Sequence, residues 1–371
     1  MRVGIDARLI YYSQAGISQY IRRLTEALAR VAQEGYEFIL LQSRKDRRTL
    51  VENERFRRVS LWTPSHHRLE QWTLPLEIRG LRLDVLHSPD FIPPFRRNCK
   101  SVITIHDLAF LFYPHFLTKE SARYYGQIDQ AVRWTNHIIA VSEATRRDLI
   151  ERLGVPENKV TVIYEAANPL FRPLDRTEAL RHAQERYPIP DAFILFVSTI
   201  EPRKNVQTLL RAYRQFLDDY KQDVKLVFAG SRGWLFEDVF ALVQALHLEE
   251  HCIFLGRVSS EDLLYLYNAA QVLVQPSYYE GFGLPPLEAM ACGTPVIVSN
   301  VSSLPEVVGD AGLLVDPNSV DEITVAMWRL LTDAVLRQQC IQRGLKRAQS
   351  FSWDKAALQT LEVYRRVANG G

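Results

Sequence analysis

The residues best suited to chemistry lie in one run, Tyr279-Glu280-Gly281-Phe282-Gly283-Leu284-Pro285-Pro286-Leu287-Glu288. Two glycines flank an aromatic residue, and a proline pair leads into an apolar helix expected near Leu287–Ala291. A Gly-rich turn ahead of a helix makes backbone N–H groups available and adds the partial positive charge of the helix end. Together these suit phosphate or hydroxyl oxygen. Glu280 is expected at the mouth of this loop, accepting hydrogen bonds from sugar hydroxyls. Glu288, one turn into the helix, has two oxygens that match the paired hydroxyls of a ribose. Three further positions stand at the ends of predicted elements. Arg203-Lys204 follow the strand Phe193–Ser198, His106 closes the strand Ser101–His106, and Gly16 precedes a helix near Ile17–Ala32. Taken singly, an acid near a helix start, a charged pair in a loop or a histidine at a strand end is most often structural. Their shared placement is what singles them out, because open α/β sheets bind ligands outside the C-terminal ends of their strands.

Short β-branched runs alternating with stretches of helical period must position these groups, the pattern of a parallel α/β sheet. In the first half the expected strands are Val3–Asp6, Glu37–Gln42, Val85–Ser88, Ser101–His106, His137–Val141 and Val160–Ile163. Helices are expected near Ile17–Ala32, Arg68–Arg79, Glu120–Asn136 and Glu143–Leu153. The last is fully punctuated, with Ser142 as N-cap, Gly154 past its end and Pro156 as stop. Periodicity breaks around Asn168–Pro173 and resumes after Pro190. A second series then gives strands Phe193–Ser198, Lys225–Ala229, Cys252–Leu255, Val272–Gln275, Pro295–Ser299 and Gly312–Val315. Helices Val206–Tyr220, Leu235–Leu246, Glu261–Ala269 and Val320–Leu331 separate them. The expected organisation is an N-terminal domain over 1–172, a second over 173–350, and a C-terminal helix within 351–371 returning to the first. Two doubly wound domains would face a cleft, with the active site between them.

Composition removes other classes. The chain has 371 residues, 45 Lys+Arg against 43 Asp+Glu and a net charge of +2. That length suits two domains, and the balance offers no tract for nonspecific nucleic-acid binding. Basic residues are in excess over the first 170 positions and acidic ones over the remainder. The cysteines Cys99, Cys252, Cys292 and Cys340 are scattered and are expected to be reduced, in a cytoplasmic setting. No export segment is expected after Met1-Arg2, and no window is long and apolar enough to span a membrane. There is no Gly-x-Gly-x-x-Gly after the first strand and no P-loop, so dehydrogenase and triphosphatase readings have little support. An Asp-x-Asp pair for a divalent metal is also lacking, and metal-independent chemistry is expected.

The run Glu280 to Glu288, continuing through Ala289-Met290-Ala291-Cys292-Gly293-Thr294-Pro295, resembles the signature of the retaining GT-B glycosyltransferases of family 4. Other segments resemble that family in the same order. They are Thr104-Ile105-His106-Asp107, Ile139-Ala140-Val141-Ser142, Phe196 through Asn205, Leu255-Gly256-Arg257-Val258 and Phe351-Ser352-Trp353. The resemblance implies a nucleotide diphosphate sugar donor and the GT-B fold. Arg203 and Lys204 would neutralise the diphosphate as it leaves. Gly281, Phe282, Gly283 and Leu284 would line the donor, and Val258 would lie in the base-binding turn. His106 would face the donor sugar by its imidazole or its carbonyl, and Gly16 would let backbone approach phosphate and acceptor. Ser198-Thr199 stand where many members carry an Arg, and Ala15 stands where many carry a second Gly.

The resemblance further implies transfer with retention through an oxocarbenium-like transition state, with the leaving phosphate taking the acceptor proton. Asp6-Ala7-Arg8 and the stretch Ile200–Asn205 look most like bacterial mannosyltransferases of O-antigen or exopolysaccharide assembly. GDP-mannose is therefore the favoured donor, with UDP-glucose and UDP-N-acetylglucosamine open. The expected acceptor is a saccharide or lipid-linked saccharide. Arg44–Arg48 and Arg55–Arg58, with Trp62 and Trp72, would suit contact with an anionic inner membrane face, although a solvated loop serves as well. Two other readings remain: a nucleotide-sugar epimerase of the same architecture, and a non-catalytic sugar-nucleotide binding subunit.

Overall fold

The short apolar runs assemble into two parallel sheets in a computed structural model that describes residues 1–13, 16–114, 119–231, 233 and 236–370. The chain divides into two compact units, Met1–Glu165 with Ser352–Gly371, and Ala166–Phe351. The first crossing thus falls earlier than the boundary expected after residue 172.

The first unit holds seven strands: β1 (Arg2–Asp6), β2 (Glu37–Ser43), β3 (Phe56–Leu61), β4 (Val85–Ser88), β5 (Lys100–Ile105), β6 (His137–Ala140) and β7 (Val160–Val162). Their order is β3-β2-β1-β4-β5-β6-β7, all parallel. The central strands are buried on both faces and read as continuous apolar runs, as parallel sheets require. β3 was not among the expected strands. It carries Arg57 and Arg58 exposed at the sheet edge, where charge discourages pairing with a further strand and erases the apolar alternation that identifies strands. Part of the basic run read as a membrane contact is therefore an edge strand. Arg55 donates to the Ala32 carbonyl, Arg58 to the Asp46 carbonyl, and Arg48 pairs with Asp46 at 2.8 Å.

The helix Gly16–Val31 buries Tyr20, Ile21, Leu24 and Leu28 along one stripe. Against it lies the C-terminal helix Trp353–Ala368, capped by Ser352. Tyr20 meets the Trp353 ring edge-on, Arg30 pairs with Asp354 at 2.6 Å, and the Tyr364 hydroxyl shares a 2.6 Å hydrogen bond with His87 Nδ1. Each fully buried large apolar side chain contributes about 1.5–3 kcal/mol. Burial lowers the His87 pKa to about 3, so this imidazole is neutral. The helix expected over Glu120–Asn136 is broken at Gly126-Gln127 into Lys119–Tyr125 and Ile128–Trp134.

The second unit holds β8 (Phe193–Val197), β9 (Lys225–Ala229), β10 (Cys252–Gly256), β11 (Val272–Gln275), β12 (Val296–Ser299) and β13 (Leu313–Val315). Their order is β10-β9-β8-β11-β12-β13, again all parallel. Its core joins Phe196, Tyr213, Phe216 and Phe228 to Val274, Ile297 and Met327. Helices Arg176–Gln184 and Ala334–Gln349 were not anticipated. The helix expected from Leu287 begins at Leu284, with the proline pair in its first turn, where a missing N–H is harmless. The helix expected from Leu235 is described from Phe236, and Leu235, Gln14 and Ala15 lie outside the described residues. All four cysteines are unpaired.

Both sheets reverse winding direction once. In the first the switch lies between β1 and β4; in the second, between β8 and β11. Ligands of open sheets bind at such points.

Candidate active site

In the second unit, the chain leaving β8 turns through the short helix Pro202–Lys204, and the chain leaving β11 enters the loop Pro276–Gly283. Between them sits Glu280, 6% exposed. Lys204 Nζ donates to both its carboxylate oxygens at 2.7 Å, and Arg203 Nη1 reaches Oε2 at 3.2 Å. Gln275 Nε2 and Ser277 Oγ complete the shell at 2.6 and 2.8 Å. Glu280 was expected at the loop mouth, facing sugar hydroxyls. Its carboxylate is instead held inside, surrounded by two cations, an amide and a hydroxyl. Burial pushes the Glu280 carboxyl up, but the charges of Lys204 and Arg203 outweigh it and hold it down at about 2. Burial and neighbouring Arg203 depress the Lys204 ammonium in turn. A low-dielectric site strengthens every charge left in it.

The loop is clamped from the next strand connection. Ser302, in a left-handed backbone with φ 59°, accepts from Glu280 N at 3.0 Å and donates back to the Glu280 carbonyl at 2.5 Å. Ser303 Oγ contacts the Glu280 and Phe282 carbonyl oxygens at 2.9 and 2.7 Å. Gly283 has φ 112°, and a Cβ there would stand 2.8 Å from Leu304 Cδ2, so this turn needs glycine. Asn205 Nδ2 ties the β8 side to the Pro276 carbonyl at 3.0 Å. Arg203 Nε also pairs with Glu201 at 2.5 Å.

Glu288 lies in the second turn of Leu284–Ala291, half-buried, and accepts from the Tyr267 hydroxyl at 3.0 Å. Ser198 follows β8, and its carbonyl lies so close to Gly230 that a Cβ there would come within 1.8 Å. Val258 follows β10 and is half-buried. These groups come from the ends of three neighbouring strands and one helix.

In the first unit, His106 follows β5. Its Nδ1 meets Glu165 Oε1 at 2.9 Å and its Nε2 meets the Pro89 carbonyl at 2.9 Å. Burial lowers its pKa, and Glu165 and the Pro89 carbonyl more than restore it, raising it above the ordinary value. Two acceptors on two ring nitrogens mark an imidazolium already committed to the fold. Of the two expected ways for His106 to face a sugar, the imidazole is thereby spent, while its carbonyl meets Thr145 Oγ1 only at 3.5 Å. Gly16 opens the helix Gly16–Val31, and a Cβ built on it would meet nothing within 4 Å. Asp6, the last residue of β1, and the buried Arg8 just past it form an ionic network. Arg8 pairs with Asp6 at 2.6 Å and with Glu70, and donates to the Thr63 carbonyl at 3.1 Å.

Sequence reasoning missed Gln275, Ser277, Ser302, Ser303 and Glu165. Gln275 did carry a signal, a polar residue ending an otherwise apolar buried strand. The others gather through contacts distant in sequence. No group of three or more His, Cys, Asp or Glu among the described residues could hold a metal ion.

Two parallel-sheet units of Rossmann type give the fold of the GT-B class of glycosyltransferase. The fold matches sucrose-phosphate synthase from Thermosynechococcus elongatus with a TM-score of 0.79 over 100% of both chains at 24% identity. The chain belongs to glycosyltransferase family 4. The profile described as Glycosyltransferase Family 4 matches residues 15–169, and that described as Glycosyl transferases group 1 matches residues 180–347. The chain is 36% identical to O-antigen chain mannosyltransferase B of Escherichia coli over 81% of its length and 78% of the relative's. It is 32% identical to the serotype-specific mannosyltransferase WbdA of Escherichia coli over 76% of this chain, which spans only 36% of that longer protein.

Proposed function

We propose that the protein transfers a hexose, foremost mannose from GDP-mannose, to a saccharide or lipid-linked saccharide acceptor in cell-surface polysaccharide assembly, with retention at the anomeric carbon. The observation that carries this reading is the Arg203-Lys204 pair, fixed by Glu280 at the switch point of the second sheet. Cleavage of the donor leaves negative charge on the β-phosphate, and cations held in place beforehand stabilise it without reorganising. Glu280 acts as a positioning residue for them. Glu288, steered by Tyr267, would hold the ribose hydroxyls, and Ser198, Val258 and the turn Gly281–Leu284 would line the donor. His106 would present its backbone carbonyl to the sugar while Glu165 fixes its ring. The leaving phosphate would take the acceptor proton. The mannosyltransferase relatives favour mannose. A panel of nucleotide sugars, scored for transfer, donor hydrolysis and anomeric configuration, tests all of this. GDP-mannose should give retained product, and a preference for another donor or an inverted product would refute the reading.

The first unit also carries a groove of about 490 Å³ whose lining includes Trp72, Leu76, Arg79, Arg82 and Arg96, with no carboxylate among the lining residues. Trp72 is 63% exposed, and the Arg96 guanidinium lies 5.0 Å from its ring centroid. Cation beside exposed aromatic and aliphatic surface suits an anionic bilayer, each arginine near the surface adding about 1 kcal/mol. Flotation with phosphatidylglycerol vesicles should recover the protein, and replacing Arg79, Arg82 and Arg96 by Ala should abolish recovery. No helix among the described residues is long and apolar enough to cross a membrane.

A further inference from the structure

The switch point of the first sheet holds a histidine that the mechanism above leaves unused. His66 lies in the connection after β3, in a left-handed backbone with φ 62°. Such a conformation is uncommon outside glycine and costs roughly 1 kcal/mol or more unless its surroundings enforce it. Here they do. Its N–H donates to Glu70 Oε2 at 2.9 Å, its Nε2 bonds to Asp90 Oδ2, and its ring stacks on Tyr124 with centroids 3.9 Å apart. Asp90 follows β4 and is 9% exposed. Its carbonyl accepts from the Tyr124 hydroxyl at 2.5 Å, and the next residue, Phe91, is again left-handed with φ 53°. Two strained residues thus frame one carboxylate–imidazole pair.

Each partner keeps one atom unused. Asp90 Oδ1 is buried without a hydrogen-bond partner among the described residues. The His66 ring is 37% exposed, and its Nδ1 has no partner among the described residues. A strained, half-open imidazole held by a carboxylate, beside an orphaned buried oxygen, is not what packing alone requires.

We infer that His66, oriented by the positioning residue Asp90, binds a hydroxyl of the acceptor sugar through Nδ1. This rests on the transferase reading above and adds where the acceptor sits and which chemistry it presents. With Nε2 bound to Asp90, Nδ1 accepts in the neutral ring and donates in the charged one. A hydroxyl satisfies both, because it can donate and accept. An anionic acceptor group fits poorly. Asp6, Glu70 and Asp90 face the site, and the one arginine among them, Arg8, is spent on Asp6, Glu70 and two carbonyl groups. The acceptor end held here is therefore a neutral, hydroxyl-bearing sugar rather than a phosphorylated one.

The test is steady-state transfer from GDP-mannose to a neutral mannose-terminated oligosaccharide, alongside donor hydrolysis without acceptor. His66→Ala should raise the acceptor KM about tenfold, the effect of one lost hydrogen bond of roughly 1.4 kcal/mol. Donor KM and acceptor-free hydrolysis should stay within about twofold of wild type. His66→Asn places an amide where Nδ1 was and tolerates the left-handed backbone, so it should restore much of the acceptor affinity. His66→Gln places its amide near Nε2 and should not. Asp90→Asn should raise the acceptor KM in the same manner as His66→Ala. Unchanged acceptor KM in His66→Ala, or better rescue by Gln than by Asn, would overturn the inference. So would a parallel loss of hydrolysis in the Asn and Gln variants, which bears on the case where the Ala variant is unstable. Transfer that survives while these acceptor effects are missing leaves the transferase reading standing, whereas a wild type that only releases free sugar refutes both.

Discussion

The two switch-point clusters are built on the same topology and solve different electrostatic problems. At β8/β11 one carboxylate, Glu280, is enclosed by Lys204, Arg203, Gln275 and Ser277. At β1/β4 one guanidinium, Arg8, is enclosed by Asp6, Glu70 and carbonyl oxygens, and Asp90 keeps an oxygen in reserve. The first arrangement sets cations around a fixed anion and suits a phosphate whose charge grows during reaction. The second sets anions around a fixed cation and suits neutral hydroxyls. The mirror-image charge teaches that a shared fold leaves ligand choice to the few residues past each strand end.

The largest effect should come from breaking the cation cluster. Lys204→Ala should lower kcat by about 10²–10³ and, by leaving Glu280 buried beside Arg203 alone, destabilise the second unit by about 3 kcal/mol. Initial rates and thermal melting measure the two separately. The double variant Lys204→Met, Glu280→Gln should recover most of the stability and none of the rate, which separates the structural from the chemical part of the pair. Next comes Glu288→Ala, expected to raise the donor KM roughly 10- to 100-fold, the range for hydrogen bonds to a charged group. Acceptor KM should stay unchanged; an equal rise in both would blur the distinction between the units. Ser303→Ala removes the single hydroxyl donor shared between the Glu280 and Phe282 carbonyls and should cost about 1 kcal/mol in chemical denaturation, with a smaller fall in kcat.

The smallest effect is on pH dependence. The raised His106 pKa means its stabilising contribution is fully present below about pH 6.5, the ordinary unfolded value, and fades as pH rises through the folded value. Glu280, held at about 2, behaves oppositely, its contribution present above the ordinary carboxylate range and lost only as pH falls toward 2. The melting advantage of wild type over His106→Gln should therefore shrink between pH 6 and 9, whereas that of wild type over Glu280→Gln should hold constant there. If both fell together, the two clusters would not be electrically distinct.

The alternation of strands and helices, the Glu280–Glu288 run and the strand-end placement of Arg203 and Lys204 were legible because local pattern carries them. β3 was hidden by Arg57 and Arg58, since an edge strand needs charge where a pattern search needs apolar residues. The inward turn of Glu280 was hidden for another reason. Its position depends on Ser302 and Ser303 arriving from the β12 connection, and no local window contains them. His106 reads as a free strand-end imidazole until Glu165, 59 residues away, is brought against it. Local chemistry names candidates, and contacts distant in sequence decide which atoms remain available.

The return of the C-terminal helix to the first unit has a consequence for synthesis. During translation Ala166–Phe351 can fold as soon as it leaves the ribosome, while the first unit waits for Ser352–Gly371. Until then His87 lacks Tyr364, and the stripe of Tyr20, Ile21 and Leu24 lacks its cover. A ribosome that stops before residue 352 releases a chain whose donor-side cluster is complete and whose other sheet exposes an apolar face, the feature by which chaperones and proteases sort unfinished chains. The last helix therefore sets the moment at which the first unit can close its core.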